Sequence, residues 1–191
     1  MTYYDTHAEE YYQTTSAPMP DSYYRDFLTL IPPACRILDL GCGSGRDLKY
    51  FAEKGYNAEG LDISPSMCEY AHQHSGQPVN CGDCRSWLPN EKYDAVWACA
   101  SLLHLDEADL LAFFSHLPLL LVRGGIMYAS FKRGIHTGND EKGRYFTNFS
   151  EDLEKQILMV NRNITIVNRF VSQDSFGRNG FSWINLYYSI T

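Results

Sequence analysis

The chain has 191 residues, of which 45% are hydrophobic and 20% are charged, and its formal net charge is −7. This size and composition predict one globular domain, and no apolar run approaches the roughly 20 residues that cross a bilayer. The polar, aromatic N-terminus lacks the pattern of a signal peptide, so we expect a cytoplasmic protein without a membrane partner. The acidic balance and the absence of a basic stripe argue against nucleic acid as the main partner.

Before the first predicted strand, the hydrophobic pattern indicates two short helices over residues 5–15 and 20–31, with Pro32 and Pro33 ending the second. Segments typical of strands then alternate with segments typical of helices. The predicted strands are RILDL, NAEGLDI, QPVNC, YDAVWACA and GGIMYASF, and the helices between them are GRDLKYFAEKG, SPSMCEYAHQH and DEADLLAFFSHLPLLL. The alternation indicates a parallel sheet with helices on both faces.

The C-terminal third departs from this alternation. A polar stretch over residues 132–149 is predicted to be a loop, and the helix SEDLEKQILMV follows it. Two strands, NITIVNRFVSQ and GFSWINLYYSIT, end the chain, and only DSFGRNG separates them. Seven residues are too few for a parallel crossover, so these strands are expected to form an antiparallel hairpin. Trp183 and Tyr187 on the last strand are expected to lie in the core.

The segment ILDLGCGSGRDLKYF places Gly41, Gly43 and Gly45 between the first strand and its helix. In an open α/β sheet this turn lies where ligands bind. Glycine there permits backbone angles closed to other residues and close approach by a ligand. Asp62 ends the second strand, where a carboxylate can accept hydrogen bonds from both ribose hydroxyls. The alternative interpretation is purely structural: the glycines form a tight strand–helix turn, and Asp62 is a turn aspartate.

Two nucleoside cofactors are compatible with this layout. The usual dinucleotide turn is G-x-G-x-x-G, whereas here the third glycine comes one residue early and Arg46 occupies its place. S-adenosylmethionine carries no phosphate, and its carboxylate can lie near the helix start or Arg46. Asp83 is a candidate acceptor for an exocyclic adenine amine, with a simple turn aspartate as the alternative.

Five segments together resemble the class I S-adenosylmethionine-dependent methyltransferases. LDLGCGSGRD is similar to the family's glycine-rich signature, GLDISPSM to its second-strand acid and helix, GDC to its adenine-side loop, YDAVWACASLLHL to its fourth strand and GGIMYASF to its fifth. The resemblance implies one Rossmann-like α/β domain over 1–191, with helices on both faces of a seven-stranded sheet. The implied strand order is 3-2-1-4-5-7-6 with strand 7 antiparallel, and the cofactor-binding core covers 36–131.

The resemblance also implies S-adenosylmethionine as cofactor and S-adenosylhomocysteine as product. The cofactor-binding residues that it implies are Asp39, Gly41, Gly43, Gly45, Arg46, Asp62, Ile63, Asp83, Cys84, Ala98 and Cys99. Residues 1–33 are similar to the helical lid of small-molecule members, and Tyr11 would reach the cofactor from it. Packing against the sheet is the alternative role of these tyrosines.

The residues expected near an acceptor come from the predicted lid and from the second half of the chain. They are Tyr3, Tyr4, His104, His136, Arg144 and Tyr145. His104 is the candidate general base, although it can equally begin the helix that follows. The region 132–191 is expected to supply a lid loop, a helix and the hairpin, and the loop can also be a plain surface loop.

We therefore expect methyl transfer to a small molecule, by a monomer or homodimer, with the acceptor atom (oxygen, nitrogen, sulfur or a metalloid) left open. An inactive S-adenosylmethionine-binding sensor or partner subunit is the alternative, and an NAD-dependent oxidoreductase is a further one. The six cysteines are expected to be reduced. Cys81 and Cys84 form a CxxC near Cys68, His72 and His74, but without a second CxxC a zinc or redox site is not predicted.

Overall fold

The computed structural model describes residues 3–174 and 182–191. Its first part is helical, with α1 (Tyr3–Thr6), α2 (Ala8–Thr15), a 3-10 turn (Asp21–Tyr23) and α3 (Arg25–Leu30). Both predicted N-terminal helices are therefore broken into two. The first break falls at His7, whose backbone leaves the helical region at φ −121° and ψ 24°.

The alternating part follows the predicted order. It comprises β1 (Arg36–Leu40), α4 (Arg46–Glu53), β2 (Asn57–Asp62), α5 (Pro65–Ser75), β3 (Val79–Cys81), β4 (Tyr93–Ala98), a 3-10 turn (Leu102–His104), α6 (Glu107–Leu120) and β5 (Leu121–Arg133). The start of α5 shows how the sequence determines where a helix begins. Ser64 Oγ accepts a hydrogen bond from the Met67 N–H, and Pro65 occupies the first turn, where no N–H is needed.

The C-terminal part contains β6 (Gly138–Asn139), β7 (Tyr145–Phe146), α7 (Glu151–Val160), β8 (Ile164–Gln173) and β9 (Ser182–Ile190). The stretch over 132–149, predicted to be a loop, thus holds a small antiparallel hairpin of β6 and β7. Most of the predicted turn DSFGRNG lies outside the described residues.

The main sheet has the order β3-β2-β1-β4-β5-β9-β8. The strands from β3 to β5 pair in parallel, whereas β9 runs antiparallel to both β5 and β8. Because β6 and β7 stand outside this sheet, β8 and β9 are its sixth and seventh strands. The predicted order, including the antiparallel seventh strand, is confirmed.

Two hydrophobic cores cover the two faces of the sheet. One joins Leu38, Val96 and Tyr188 to α6 and α7, and the other joins Trp97 and Tyr187 to α3 and α4. Tyr187 lies in the core as predicted, but Trp183 is only half-buried and faces a cavity. Across the described ranges, no helix is both long enough and apolar enough to span a membrane.

Candidate active site

Two adjoining cavities open at the carboxyl ends of the parallel strands. The β2-side cavity, of about 500 Å³, lies over Asp62 and Asp83, and the β9-side cavity, of about 350 Å³, lies over Ser130 and Asn185. They share residues from the glycine turn, the end of β4, the N-terminal helices, the 3-10 turn after β4 and the segment between β6 and β7, namely Tyr4, Tyr11, Gly41, Gly43, Cys99, Ala100, His104 and Arg144.

Glycine is required at the three positions of the turn for different structural reasons. All three have positive φ, at 73° for Gly41, 51° for Gly43 and 76° for Gly45, which disfavours other residues. A Cβ on Gly45 would stand 2.7 Å from the Ala71 Cα, so this glycine allows α4 and α5 to pack and does not line either cavity. Gly41 and Gly43 line both cavities, but a Cβ on Gly41 would stand 2.3 Å from the Ser101 Cβ, whereas one on Gly43 would reach ordinary contact with the Tyr11 ring at 3.4 Å. Gly43 is therefore the position that leaves room for a ligand.

Asp62 ties the glycine turn to the end of β2. Its Oδ2 accepts the Gly43 N–H at 2.9 Å, and its Oδ1 accepts the Ser64 N–H at 2.9 Å. Burial raises the pKa of this carboxyl, and the backbone hydrogen bonds oppose that rise. Each carboxylate oxygen retains a lone pair for a further donor such as a ribose hydroxyl. The structure thus shows the turn role of Asp62, and the remaining lone pairs are compatible with the predicted binding role.

The outer part of the β2-side cavity carries the residues assigned to the adenine. Ile63 is 48% exposed and lines the cavity, as a residue that flanks a planar base would. Asp83 already has a partner, because Arg85 binds its carboxylate through Nε and a terminal nitrogen and also contacts Asp109. Hydrogen bonding to Arg85 lowers the pKa of Asp83. Cys84 lines the cavity beside it.

Two buried polar atoms at the site lack a hydrogen-bond partner among the described residues. They are Oδ2 of Asp39, a residue that lines the β9-side cavity, and Oγ of Ser101, a residue that lines the β2-side cavity. Burial raises the pKa of Asp39 well above its usual value. Unpaired buried polar atoms are costly, so both positions suit a ligand that carries polar groups.

Arg46 is fixed by a buried network. Its Nε lies 2.6 Å and a terminal nitrogen 2.9 Å from the Asp47 carboxylate, which also accepts hydrogen bonds from the Tyr24 hydroxyl at 2.7 Å and from the Trp97 indole at 2.8 Å. Burial raises the pKa of Asp47, but the Arg46 charge and these hydrogen bonds outweigh it and lower the pKa overall. The network places the guanidinium at the wall of the β9-side cavity.

Ala98, where a backbone contact with the cofactor was predicted, comes one residue before the segment that lines the cavities. Ala98 is buried and lines neither cavity, whereas Cys99 and Ala100 line both. Ala100 has φ 53°, and its N–H donates to Ser130 Oγ at 2.8 Å. The Tyr23 hydroxyl lies 2.9 Å from Cys99 Sγ, so the N-terminal region contacts this strand end.

His104 is held as a neutral ring. Its Nδ1 lies 2.7 Å from the Tyr145 carbonyl, which can only accept, so Nδ1 carries the proton. Nε2 therefore accepts the hydrogen bond from the Tyr4 hydroxyl at 2.8 Å. Burial lowers the pKa of His104 to about 4. Its lone pair is engaged and its basicity is low, so the geometry favours a role in holding Tyr4 over the general-base role.

The N-terminal tyrosines divide into two groups. Tyr3, Tyr4 and Tyr11 line the cavities, and Tyr11 stands 3.4 Å from the position of a Cβ on Gly43. Tyr12 faces away, stacks on Tyr70 with ring centroids 4.9 Å apart, and bonds to a histidine of α5. The segment thus covers the glycine turn, which agrees with a lid, and its outer face is attached to α5.

Of the loop residues predicted to lie near an acceptor, two line the cavities and one does not. Arg144 lines both cavities, pairs with Asp140 at 2.7 Å and lies 5.4 Å from the Tyr3 ring centroid. Tyr145 lines the β2-side cavity. His136 is exposed and lines neither cavity.

The floor of the β9-side cavity was missed by the sequence reasoning. Tyr128, Ser130 and Lys132 on β5 lie opposite Tyr187, Asn185 and Trp183 on β9. The Tyr128 hydroxyl donates to Asn185 Oδ1 at 2.7 Å. The available signal was the period of two that puts 128, 130 and 132 on one face of a buried strand.

Residues 37–125 match the methyltransferase domain family. Over 103 residues the chain is 34% identical to the bovine 18S rRNA (guanine-N(7))-methyltransferase, covering 48% of this chain and 37% of that protein. Over 81 residues it is 40% identical to the trans-aconitate 2-methyltransferase of Mycobacterium tuberculosis, covering 41% and 31%. The chain thus spans about a third of the length of these relatives.

Solved structures match over nearly the whole chain. The CcbJ methyltransferase of Streptomyces caelestis has a TM-score of 0.79 at 17% identity, covering 100% of this chain and 98% of that one. The 1,6-didemethyltoxoflavin-N1-methyltransferase of Burkholderia thailandensis, solved with bound 1,6-didemethyltoxoflavin and S-adenosylhomocysteine, has a TM-score of 0.70 at 16% identity, covering 98% of this chain and 79% of that one. At these identities the likeness shows the fold alone.

Proposed function

We propose that this chain is an S-adenosylmethionine-dependent methyltransferase and that it transfers the cofactor's methyl group to a small-molecule acceptor in the β9-side cavity. The observation that carries the proposal is the meeting of the Gly41–Gly43 turn, Asp62 and the unpaired Asp39 and Ser101 oxygens around two adjoining cavities.

The donor set fits S-adenosylmethionine. Asp62 would receive the ribose hydroxyls, Ile63 would flank the adenine, and the cofactor's amino group would reach the unpaired Asp39 oxygen. Arg46 would attract the carboxylate. The cofactor supplies a methyl group already activated by its sulfonium charge, so the protein has to bind, orient and exclude water.

The described site supports catalysis by positioning. The side chain best placed to act as a base, His104, has a pKa of about 4 and already accepts from Tyr4, so it is a poor proton acceptor at neutral pH. We propose instead that Tyr3, Tyr4 and Tyr11 close over the site, and that the polar floor of Ser130 and Asn185 orients the acceptor. Closure would keep water from the methyl group.

Calorimetric titration with S-adenosylmethionine, S-adenosylhomocysteine and NADH tests the cofactor. We expect binding of the first two and none of NADH. Incubation with a library of small hydroxy, amino, thiol and carboxylate compounds, read out as S-adenosylhomocysteine release, tests transfer. Cofactor binding without release on any acceptor would favour the inactive sensor or partner subunit instead.

The relative that modifies 18S rRNA raises a second acceptor class. The net charge of −7 opposes an RNA acceptor, since phosphate contacts need a basic surface. The relative that acts on trans-aconitate and the 350 Å³ volume of the β9-side cavity favour a small acceptor. Labelled methyl transfer to total rRNA, beside the small-molecule library, separates the two, and label in rRNA alone would overturn the proposal.

A further inference from the structure

The two cysteines of the CGDC segment face different surroundings. Cys81 is exposed at the end of β3, whereas Cys84 is half-buried and lines the β2-side cavity. Cys68 on α5 adjoins Cys81, because its Sγ lies 3.7 Å from the carbonyl oxygen of Asn80, the residue before Cys81, and the Cys81 thiol contributes to the raised pKa of Cys68. The structure thus pairs a cysteine of the CxxC with one that is distant in sequence.

The backbone around this pair explains the juxtaposition. The parallel register of β2 and β3 sets Cys81 beside Asp62. Cys68 Sγ lies 3.3 Å from the Asp62 carbonyl oxygen and 3.7 Å from the Asn80 carbonyl oxygen. The Cys68 sulfur therefore lies where both strands end, next to the exposed Cys81.

We propose that Cys68 and Cys81 form a thiol-modification site that reacts with low-molecular-weight disulfides and closes to an intramolecular disulfide that weakens cofactor binding. The effect on the cofactor depends on the binding role assigned to Asp62 above. Formation of the disulfide does not depend on it.

The chemistry balances as two thiol–disulfide exchanges. The exposed Cys81 thiolate attacks the small disulfide, whose sulfur–sulfur bond breaks and releases one thiolate. Cys68 then loses its proton to solvent and attacks the Cys81 sulfur, which releases the second thiolate. The protein loses two electrons and two protons, and the small disulfide is reduced to two thiols. Burial raises the pKa of Cys68, so the second exchange is the slower one.

The link to the cofactor runs through the end of β2. Oxidation removes the proton that the Cys68 thiol donates to the Asp62 carbonyl, and it draws the two sulfurs to about 2.05 Å. The Asp62 carboxylate holds the Gly43 and Ser64 amides. A shift of this strand end would therefore move both the ribose-binding group and the glycine turn. Linkage requires bound cofactor to oppose disulfide formation by the same factor.

Peptide mapping tests the disulfide. The reduced chain is incubated with oxidised glutathione, alkylated and digested without reductant. We expect a linked pair of peptides that contain Cys68 and Cys81. Cys68→Ser should stop at a glutathione adduct on Cys81, and Cys84→Ser, the matched control from the same segment, should form the same link as the unmodified chain. A Cys81–Cys84 link, or an adduct on Cys81 that never resolves in the unmodified chain, would overturn the proposal.

Calorimetry with S-adenosylhomocysteine tests the coupling. The oxidised chain should bind at least about five-fold more weakly than the reduced chain, near the lower end of typical coupling. Dithiothreitol should restore the affinity, and Cys81→Ser should bind equally with and without oxidant. Equal affinity of the two redox forms would refute the coupling. Failure of the reduced chain to bind would instead count against the proposed function.

Discussion

The two sides of the site are assembled over different distances along the chain. On the β2 side, Gly43 and Asp62 meet across a separation of 19 residues, through a backbone amide and a carboxylate. On the β9 side, Tyr128 meets Asn185 across 57 residues, and between the two cavities Tyr4 meets His104 across 100. The first side is built from one strand–turn–helix unit and its neighbouring strand. The second side exists only when the whole sheet and the N-terminal helices are in place.

This difference determines how each side responds to mutation. The β2 side depends on backbone angles and on space, so a side chain added to the glycine turn acts directly on the binding surface. The lid and the floor depend on contacts between pairs of side chains, and a single mutation removes only one member of one pair. We therefore expect the largest losses from the turn and smaller ones from the other parts.

The largest expected effect is that of Gly43→Val, which should weaken cofactor binding at least about 100-fold. Its Cβ would stand 3.4 Å from the Tyr11 ring, its extra methyl groups would enter the cavity, and φ 51° disfavours a branched residue. Gly76→Val is the control, since Gly76 has φ 69° but open space around it. Calorimetry on both folded variants measures the difference, and normal binding by Gly43→Val would show that the turn faces something else.

Deletion of residues 1–15 should reduce turnover at least about ten-fold, because it removes Tyr3, Tyr4 and Tyr11 from the cavity walls. The free energy of unfolding should fall by only about 1 kcal/mol, since Ala8 is the single buried residue of α1 and α2. Steady-state kinetics and urea unfolding of the same sample measure both quantities.

Hydrogen exchange separates a lid from a fixed element. Amides of residues 3–15 should exchange more slowly when S-adenosylhomocysteine is bound, because closure would protect them. Equally slow exchange with and without the ligand would mean that the segment is a permanent part of the core.

Asp62→Ala should weaken cofactor binding by about 1–3 kcal/mol, the cost of leaving ribose hydroxyls unpaired. Asp83→Ala makes the comparison within the same cavity, and we expect a smaller loss because Arg85 already binds the Asp83 carboxylate. Calorimetry with S-adenosylmethionine measures both. Equal losses would show that Asp83 serves the adenine as directly as Asp62 serves the ribose.

Acid should destabilise the contact between His104 and Tyr4. The pKa of His104 is about 4 in the fold and 6.5 when unfolded, so between these values the unfolded chain binds more protons. Stability is therefore fully present above pH 6.5 and falls as the pH drops towards 4, by about 2 kcal/mol between pH 7 and 5. Urea unfolding at both pH values measures it, and His104→Asn should lose most of this dependence. An unchanged slope in that variant would assign the dependence to another group.

Parts of the fold were predictable because they depend on local patterns. The strand–helix alternation, the cap at Ser64 and the antiparallel end of the sheet all follow from residues close together in sequence. The small hairpin of β6 and β7 was missed, since two-residue strands carry no periodicity. The breaks in the N-terminal helices were missed for a similar reason, because no proline or glycine marks them.

By itself, the sequence determined the position of the glycine turn, the carboxylate that ends β2 and the order of the elements, since each rests on backbone constraints within a few dozen residues. Tertiary structure decided which glycines line the cavities and which one packs against α5. It also decided that Arg85 binds the Asp83 carboxylate, that the His104 ring is neutral and that Cys68 lies beside Cys81. The physical reason is that hydrogen-bond partners and burial, which set these states, are properties of the packed sheet rather than of any one segment.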